Sequence, residues 1–298
     1  MASCLLLLAS CGARIAGNSA DQEVRDAAID AQAPTSPGSA IDASPFGPWA
    51  MPAAVTPAAT AATEDDVTLS ANALEIVFAV NTRNNGKDLY YTARTAIGEP
   101  WGGAQPLFTT AASEETPRFS ADGLTLYFAT DPVTSGNLDV YFSTRAEVGS
   151  TQWSTPKLLT GFDTAATEKW FAPCSDKQHY VIVEGADGNA ATDLYEGTLG
   201  DGAPQPITQL NTAATETGAF LTADCLTLYF ASTRVTPERI FASHRATVAS
   251  PWQLPDEIDD FKLGGTDTQE DPSVSADGHA FAFASNAAGT KDIYLSTR

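Results

Sequence analysis

The sequence predicts an all-β protein, a five-bladed propeller of four-stranded antiparallel blades whose ring is closed by an N-terminal strand. Three observations carry that prediction. The phrase T-A-A-T-E recurs at Thr60–Glu64, Thr164–Glu168 and Thr212–Glu216, Thr110–Glu114 reads T-A-A-S-E, and Thr266–Glu270 keeps only the ends. The glutamates stand at 64, 114, 168, 216 and 270, a period close to one propeller blade of roughly 50 residues. Each period holds short β-type runs separated by turn residues, four to a unit. Finally, the last unit stops at Arg298 after its third strand, while Trp49-Ala50-Met51-Pro52 stands spare before the first phrase. The two ends of the chain together make one blade.

Each unit opens with a turn carrying Asp or Asn: Ser70-Ala71-Asn72, Ser120-Ala121-Asp122, Cys174-Ser175-Asp176, Thr222-Ala223-Asp224 and Ser275-Ala276-Asp277. An Asx side chain there bonds the backbone two residues on, and the following Gly123 and Gly278 tolerate positive φ. Ala73, Lys177 and Cys225 occupy that glycine position in the other units. Second strands follow at Leu74–Val80, Leu124–Thr130, Tyr180–Glu184, Leu226–Ser232 and Ala280–Ser285. Both alternating faces are apolar, as for a strand packed on both sides. Third strands start at Asp88-Leu89-Tyr90, Asp139-Val140-Tyr141, Asp193-Leu194-Tyr195, Arg239-Ile240-Phe241 and Asp292-Ile293-Tyr294. Fourth strands begin near Trp101, Trp153 and Trp252, with Pro204-Gln205-Pro206-Ile207 replacing the tryptophan in the third unit.

These residues carry a resemblance. The pattern E-x-x-P-x-x-S-x-D-G-x-x-L-Y-F, then D-(I/V)-Y-x-S-x-R, resembles the WD40-like repeat of TolB-type periplasmic β-propellers. The second unit matches almost throughout, from Glu114-Glu115-Thr116-Pro117 through Asp122-Gly123 to Asp139-Val140-Tyr141. The resemblance covers residues 49–298 and implies the fold and an exported location. Five units depart from the six of TolB itself, which puts transfer of its partner-binding surface in doubt.

Outside the repeats, residues 1–11 form a short apolar leader ending in Leu8-Ala9-Ser10-Cys11, similar to the lipobox of bacterial lipoproteins, where the cysteine is acylated. Gly12 after Cys11 is compatible with outer-membrane sorting. Residues 12–44 are rich in Ala, Asp, Ser, Pro and Gly and read as a disordered tether, so the propeller spans 45–298. The expectation is a cell-envelope lipoprotein, periplasmic or at the outer membrane, touching the bilayer only through its lipid and monomeric. With 16 Lys+Arg against 37 Asp+Glu, the net charge of −21 excludes nucleic acid as partner.

No serine-nucleophile elbow, zinc-binding helix motif or phosphate loop is present, and His179, His244 and His279 are scattered over three units. The set with fixed geometry is Glu64, Glu114, Glu168, Glu216 and Glu270, expected as a carboxylate ring at the channel mouth with Asp65, Asp66, Glu115 and Asp271 beside it. Converging carboxylates need a cation such as Ca²⁺, raised pKa values or hydrogen bonds. The alternative is that each glutamate bonds its own T-A-A-T loop and joins blade to blade. The reading is a non-enzymatic binding or scaffold module with a protein or small-ligand partner at the mouth and no required cofactor. A carbohydrate-active hydrolase with two carboxylates at the channel is the alternative. Cys174 and Cys225 lie at nearly corresponding points of adjacent units, as a disulfide or as two thiols.

Overall fold

The computed structural model describes residues 48–298 apart from 84–85, 109, 133–136, 163, 165 and 186–190. The leader with Cys11 and the tether lie outside the described residues. Five four-stranded antiparallel sheets account for the rest. Blade I holds β2 (Glu64–Leu69), β3 (Glu75–Arg83), β4 (Gly86–Ala93) and β5 (Gln105–Pro106). Blade II holds β6 (Glu114–Phe119), β7 (Thr125–Thr130), β8 (Asp139–Thr144) and β9 (Lys157–Leu158). Blade III is β10 (Thr167–Pro173), β11 (His179–Gly185), β12 (Asp193–Thr198) and β13 (Gln205–Pro206). Blade IV is β14 (Glu216–Leu221), β15 (Thr227–Ser232), β16 (Arg239–His244) and β17 (Asp256–Glu257). Blade V combines β18 (Gln269–Val274), β19 (Ala280–Ser285) and β20 (Asp292–Thr297) with the N-terminal β1 (Ala53–Ala54).

Closure follows the expected scheme. Ala53 pairs with Leu295 and Ala54 with Tyr294. The Ala50 and Val55 amides donate to Thr297 and Ile293 carbonyls, each at 2.8 Å. The innermost strands β2, β6, β10, β14 and β18 pack in order around an axis, and β18 returns to β2.

Each hydrophobic cluster sits between two blades, which explains second strands apolar on both faces. Ile76 and Phe78 pack with Ala280, Ala282 and Ile293 of blade V, whereas Val77 and Ala79 pack with Leu126 and Phe128 of blade II. A second repeated device locks the blade edges. Arg94, Arg145, Arg245 and Arg298 lie 4.5, 4.7, 4.2 and 4.0 Å from the rings of Trp101, Trp153, Trp252 and Trp49. Each guanidinium also donates to a turn carbonyl, of Ala73, Gly123, Cys225 and Gly278 respectively. Cations over indoles contribute about 0.5–1 kcal/mol when exposed and more when desolvated.

The Asx turns form as read, with the glycine position left-handed even without glycine: φ is 56° at Ala73, 56° at Lys177 and 65° at Cys225. Cys174 and Cys225 are joined by a disulfide across blades III and IV.

Candidate functional site

The five repeated glutamates, expected as one ring at the channel mouth, occupy two different register positions. Glu64, Glu114, Glu168 and Glu216 are buried, none more than 1% exposed. Each accepts a bond from the first threonine of its own loop: Thr60, Thr110, Thr164 and Thr212. Three of their amides tie blade to blade, Glu64 N–H donating to Lys291 O at 3.0 Å, Glu168 to Leu138 O at 2.9 Å and Glu216 to Thr192 O at 3.0 Å. The fifth member of this set is Gln269, whose amide donates to Glu238 O at 3.1 Å. Glu270 belongs to the next register position, because Gln269 pairs with Ser285 as Glu64 pairs with Val80 and Glu216 with Ser232.

Gln269 has a physical counterpart. Glu64 and Glu168 lie beside the third-strand aspartates of the preceding blades, Asp292 and Asp139, as hydrogen-bonded carboxyl pairs. A pair of this kind must share a proton. Where blade IV carries Arg239 in place of that aspartate, blade V carries glutamine in place of the glutamate. Burial pushes the Glu168 carboxyl up to about 8, against the Thr164 bond and with the Asp139 charge adding to the rise.

What lines the mouth is set by a β-bulge repeated in every innermost strand, between Asp65 and Thr68, Glu115 and Arg118, Lys169 and Ala172, Thr217 and Phe220, and Glu270 and Ser273. A bulge of this type takes its first residue into the left-handed region. Asp66, Thr116, Trp170, Gly218 and Asp271 stand there, with φ of 52°, 51°, 49°, 61° and 54°. Glycine is required at 218, where a Cβ would meet the Asp271 amide nitrogen at 2.9 Å. A bulky tryptophan at positive φ is a strained conformation that its surroundings must hold. Here the Trp170 amide donates to Thr116 Oγ1 at 3.2 Å and its indole Nε1 to Asp271 Oδ1 at 2.8 Å.

Around this ring runs a network of ion pairs. Lys87 Nζ lies 2.9 Å from Asp65 and 2.7 Å from Asp66, Lys169 Nζ 2.8 Å from Glu115, and Lys291 Nζ 2.6 Å from Glu270. Three of the six lysines in this acidic chain therefore meet at one opening. The Asp66 amide donates to Asp271 Oδ2 at 2.9 Å, and Thr217 Oγ1 to Glu238 at 3.0 Å. Burial and the neighbouring Asp66 push Asp65 up to about 8. Burial also raises Asp271 to about 6, helped by Asp66, and Glu238 to about 7, helped by Glu270. Asp66 moves the other way: burial opposes its charge, but Lys87, Lys169 and Lys291 outweigh that and lower it. A cluster of perturbed groups at the centre of a ring marks a candidate functional site.

Below this layer, Arg118 closes the channel. Its fully buried guanidinium reaches from blade II to donate through Nε to Ala219 O at 3.0 Å and through Nη1 to Val67 O at 2.7 Å. Burial lowers its pKa to about 10, while Asp271 and Asp66 favour its charge.

Asp65, Asp66, Glu115 and Asp271, expected beside the ring, line the mouth together with Glu270. Lys87, Lys169, Lys291, Trp170, Glu238 and Arg118 were not singled out from the sequence. The signal available was the residue pair directly after each repeated glutamate, which the bulge turns into the channel. Among the described residues, Cys174, Asp176 and Cys225 are one grouping close enough to hold a metal, but its sulfurs are bonded to each other.

No family model and no curated protein matches this sequence. Among solved structures, the fold is similar to the catalytic domain of a GH62 α-L-arabinofuranosidase from Coprinopsis cinerea, at 11% identity and TM-score 0.53 over 85% of this chain and 97% of that one. It is similar also to the α-L-arabinofuranosidase PaAbf62A from Podospora anserina, at 13% identity and TM-score 0.52 over 85% and 96%. A putative TolB from Agrobacterium tumefaciens aligns at 16% identity and TM-score 0.49 over 82% of each chain. At these identities the likeness is one of fold.

Proposed function

We propose that this propeller is a non-enzymatic binding or scaffold module of the cell envelope, recognising a protein or small-ligand partner at its charged channel mouth. The observation that carries the reading is the pairing at the mouth: the carboxylates of Asp65, Asp66, Glu115 and Glu270 are each held by a lysine, and that of Asp271 by the Trp170 indole. Charges fixed in this way make a rigid pattern of alternating sign, which favours specificity for a partner of complementary pattern. The lysine side chains remain 23–30% exposed at the surface of that pattern. Export is supported by the Cys174–Cys225 disulfide, a bond typical of oxidising compartments, and by the Leu8-Ala9-Ser10-Cys11 motif.

Site-specific photo-crosslinking in the native cell tests this reading. A probe at Ala288, exposed on the link between β19 and β20 beside the mouth, should capture a discrete partner. The same probe at Ala249, exposed on the opposite face, should not capture it. Equal capture from both positions, or none from Ala288, rejects the mouth as the recognition face.

A second reading, a glycoside hydrolase, is favoured by one observation: Asp271 at about 6 and Glu238 at about 7 are poised for proton transfer near neutral pH. Release of arabinose from arabinoxylan by the wild type, abolished by Asp271→Asn, would establish it. No release would leave the binding module.

A further inference from the structure

Arg118 divides the axis of the propeller into two unlike compartments. Above it lie the paired charges of the mouth. On the far side is a separate cavity of about 270 Å³, to which all five blades contribute. Its lining is more apolar than polar, with Phe119, Phe220, Leu221 and Val274 from the innermost strands beside Ser120, Thr222 and Ser275 of the turns. Phe220 separates it from the guanidinium, whose carbon lies 5.9 Å from the ring centroid.

The rim is made by the repeated Asx turns. Ala71, Ala121, Ala223 and Ala276 hold the same place in four blades and line the cavity. Turn-to-turn bonds fix its shape: Ala276 N–H donates to Ala71 O at 2.9 Å, and Ser175 N–H to Ala223 O at 3.0 Å. Immediately beyond each of three of these alanines stands an aspartate, Asp122, Asp224 and Asp277, and Asp176 follows Ser175 in the fifth turn. Asp224 itself lines the cavity, which carries no basic side chain among its described lining. Basic groups already face this collar: Lys177 lies 2.6 Å from Asp122, His179 2.5 Å from Asp176 and His279 3.5 Å from Asp277, His244 feels the charge of Asp224, and Arg145, Arg245 and Arg298 donate to the carbonyls of Gly123, Cys225 and Gly278.

We infer that this cavity is a second binding site, for a small hydrophobic cation: one aromatic ring or short alkyl chain bearing an ammonium group. Size, polarity and charge each contribute. An apolar cavity of about 150 Å³ holds one benzene, so 270 Å³ accepts a phenyl ring with a short arm. Apolar walls are stabilised by an apolar occupant at about 25 cal/mol per Å² removed from water. Asp224 in the lining, on a chain of net charge −21, favours a cation over an anion of the same shape. The site is independent of the mouth, since Arg118 and Phe220 stand between them.

Three probes of one shape test this on the intact propeller: 2-phenylethylammonium, 2-phenylethanol and phenylacetate, followed by calorimetric titration at low salt. The ammonium should bind saturably, at least tenfold tighter than the alcohol, and phenylacetate weakest. Asp224→Asn should shrink the advantage of the ammonium over the alcohol. Ala223→Leu should fill the opening and abolish binding. Should that variant fold poorly, Ala121→Leu closes the same opening from another blade, and the Lys169→Gln/Lys291→Gln mouth variant should bind the ammonium as the wild type does. Absence of saturable ammonium binding, an alcohol that binds as tightly, or full binding by a well-folded Ala→Leu variant would overturn the inference.

Discussion

The indole of Trp170 in blade III donates to the carboxylate of Asp271 in blade V at 2.8 Å, a bond from one side of the channel mouth to another. Asp271 is 3% exposed, so its oxygens depend on protein donors. Trp170→Phe keeps the ring but removes the donor. It should cost about 1–3 kcal/mol, the usual penalty for a buried acceptor left without its partner. It should also move Asp271 further above its raised position of about 6. Thermal melts and NMR titration of the carboxyl check both outcomes.

Between blades I and II, Arg145 grips Glu75 with two bonds, Nη1 to Oε1 at 2.6 Å and Nη2 to Oε2 at 2.8 Å. The Tyr91 hydroxyl donates to the same carboxylate at 2.9 Å. Both partners are almost fully buried. Removing one leaves an uncompensated buried charge, so Glu75→Ala should destabilise the fold by about 3–5 kcal/mol. Chemical denaturation provides the comparison, with Glu115→Ala as the partly exposed control whose cost should stay within about 1 kcal/mol.

The carboxyl pair of Glu168 and Asp139 makes stability pH-dependent. Glu168 is raised from 4.5 to about 8 in the folded state, so the fold binds its proton more tightly than the unfolded chain does. That contribution is complete below pH 4.5 and is lost as pH rises through about 8. Asp65, raised to about 8, adds to the same slope, and Asp66, lowered, acts in the opposite sense at acid pH. Melting temperature should therefore fall between about pH 5 and pH 9. Glu168→Gln should flatten the profile at little cost, since Gln269 already serves at the equivalent place in blade V. Glu168→Ala should lose about 1–3 kcal/mol at neutral pH. Calcium should leave the wild-type melt unchanged, because the repeated glutamates bond their own loops.

The N-terminal strand closes the ring through Ala53 and Ala54 on β20 and through Trp49 over Arg298. Deleting residues 48–55 exposes the edge of β20 and removes the Trp49 contact with Phe281. A loss of roughly half of a typical stability of 5–15 kcal/mol is expected. Equal melting temperatures for the deletion and the intact chain would disprove closure by this strand.

Much of the fold was legible because every blade repeats the same solution. The second strand of blade V was placed at Ala280–Ser285, as found, and in blades II and IV strands start one residue later than read, at Thr125 and Thr227. The spare Trp49 segment was legible because its partner Arg298 ends the last unit. The site was less legible. Glu270 lies at the mouth as expected but is not the counterpart of the other four glutamates, because Gln269 takes that position, an exchange that makes sense beside Arg239 in blade IV. The bulge that turns Trp170 and Asp271 into the channel leaves no composition signal, since only Gly218 among its five positions is glycine. Lys87 reaches the mouth from a third strand and Lys291 from the residue just before one, some twenty residues from the carboxylates they hold.

The measurement that bears most directly on the mouth as a recognition face is crosslinking from Ala288 in the Lys169→Gln/Lys291→Gln background. Both lysines are 25–30% exposed but also offset the buried carboxylate of Asp66, so the double variant should melt lower and is compared with the wild type below its own transition. The partner captured by the otherwise wild-type chain should disappear in the folded double variant, as recognition at the mouth requires. Undiminished capture by a double variant that folds normally would contradict it.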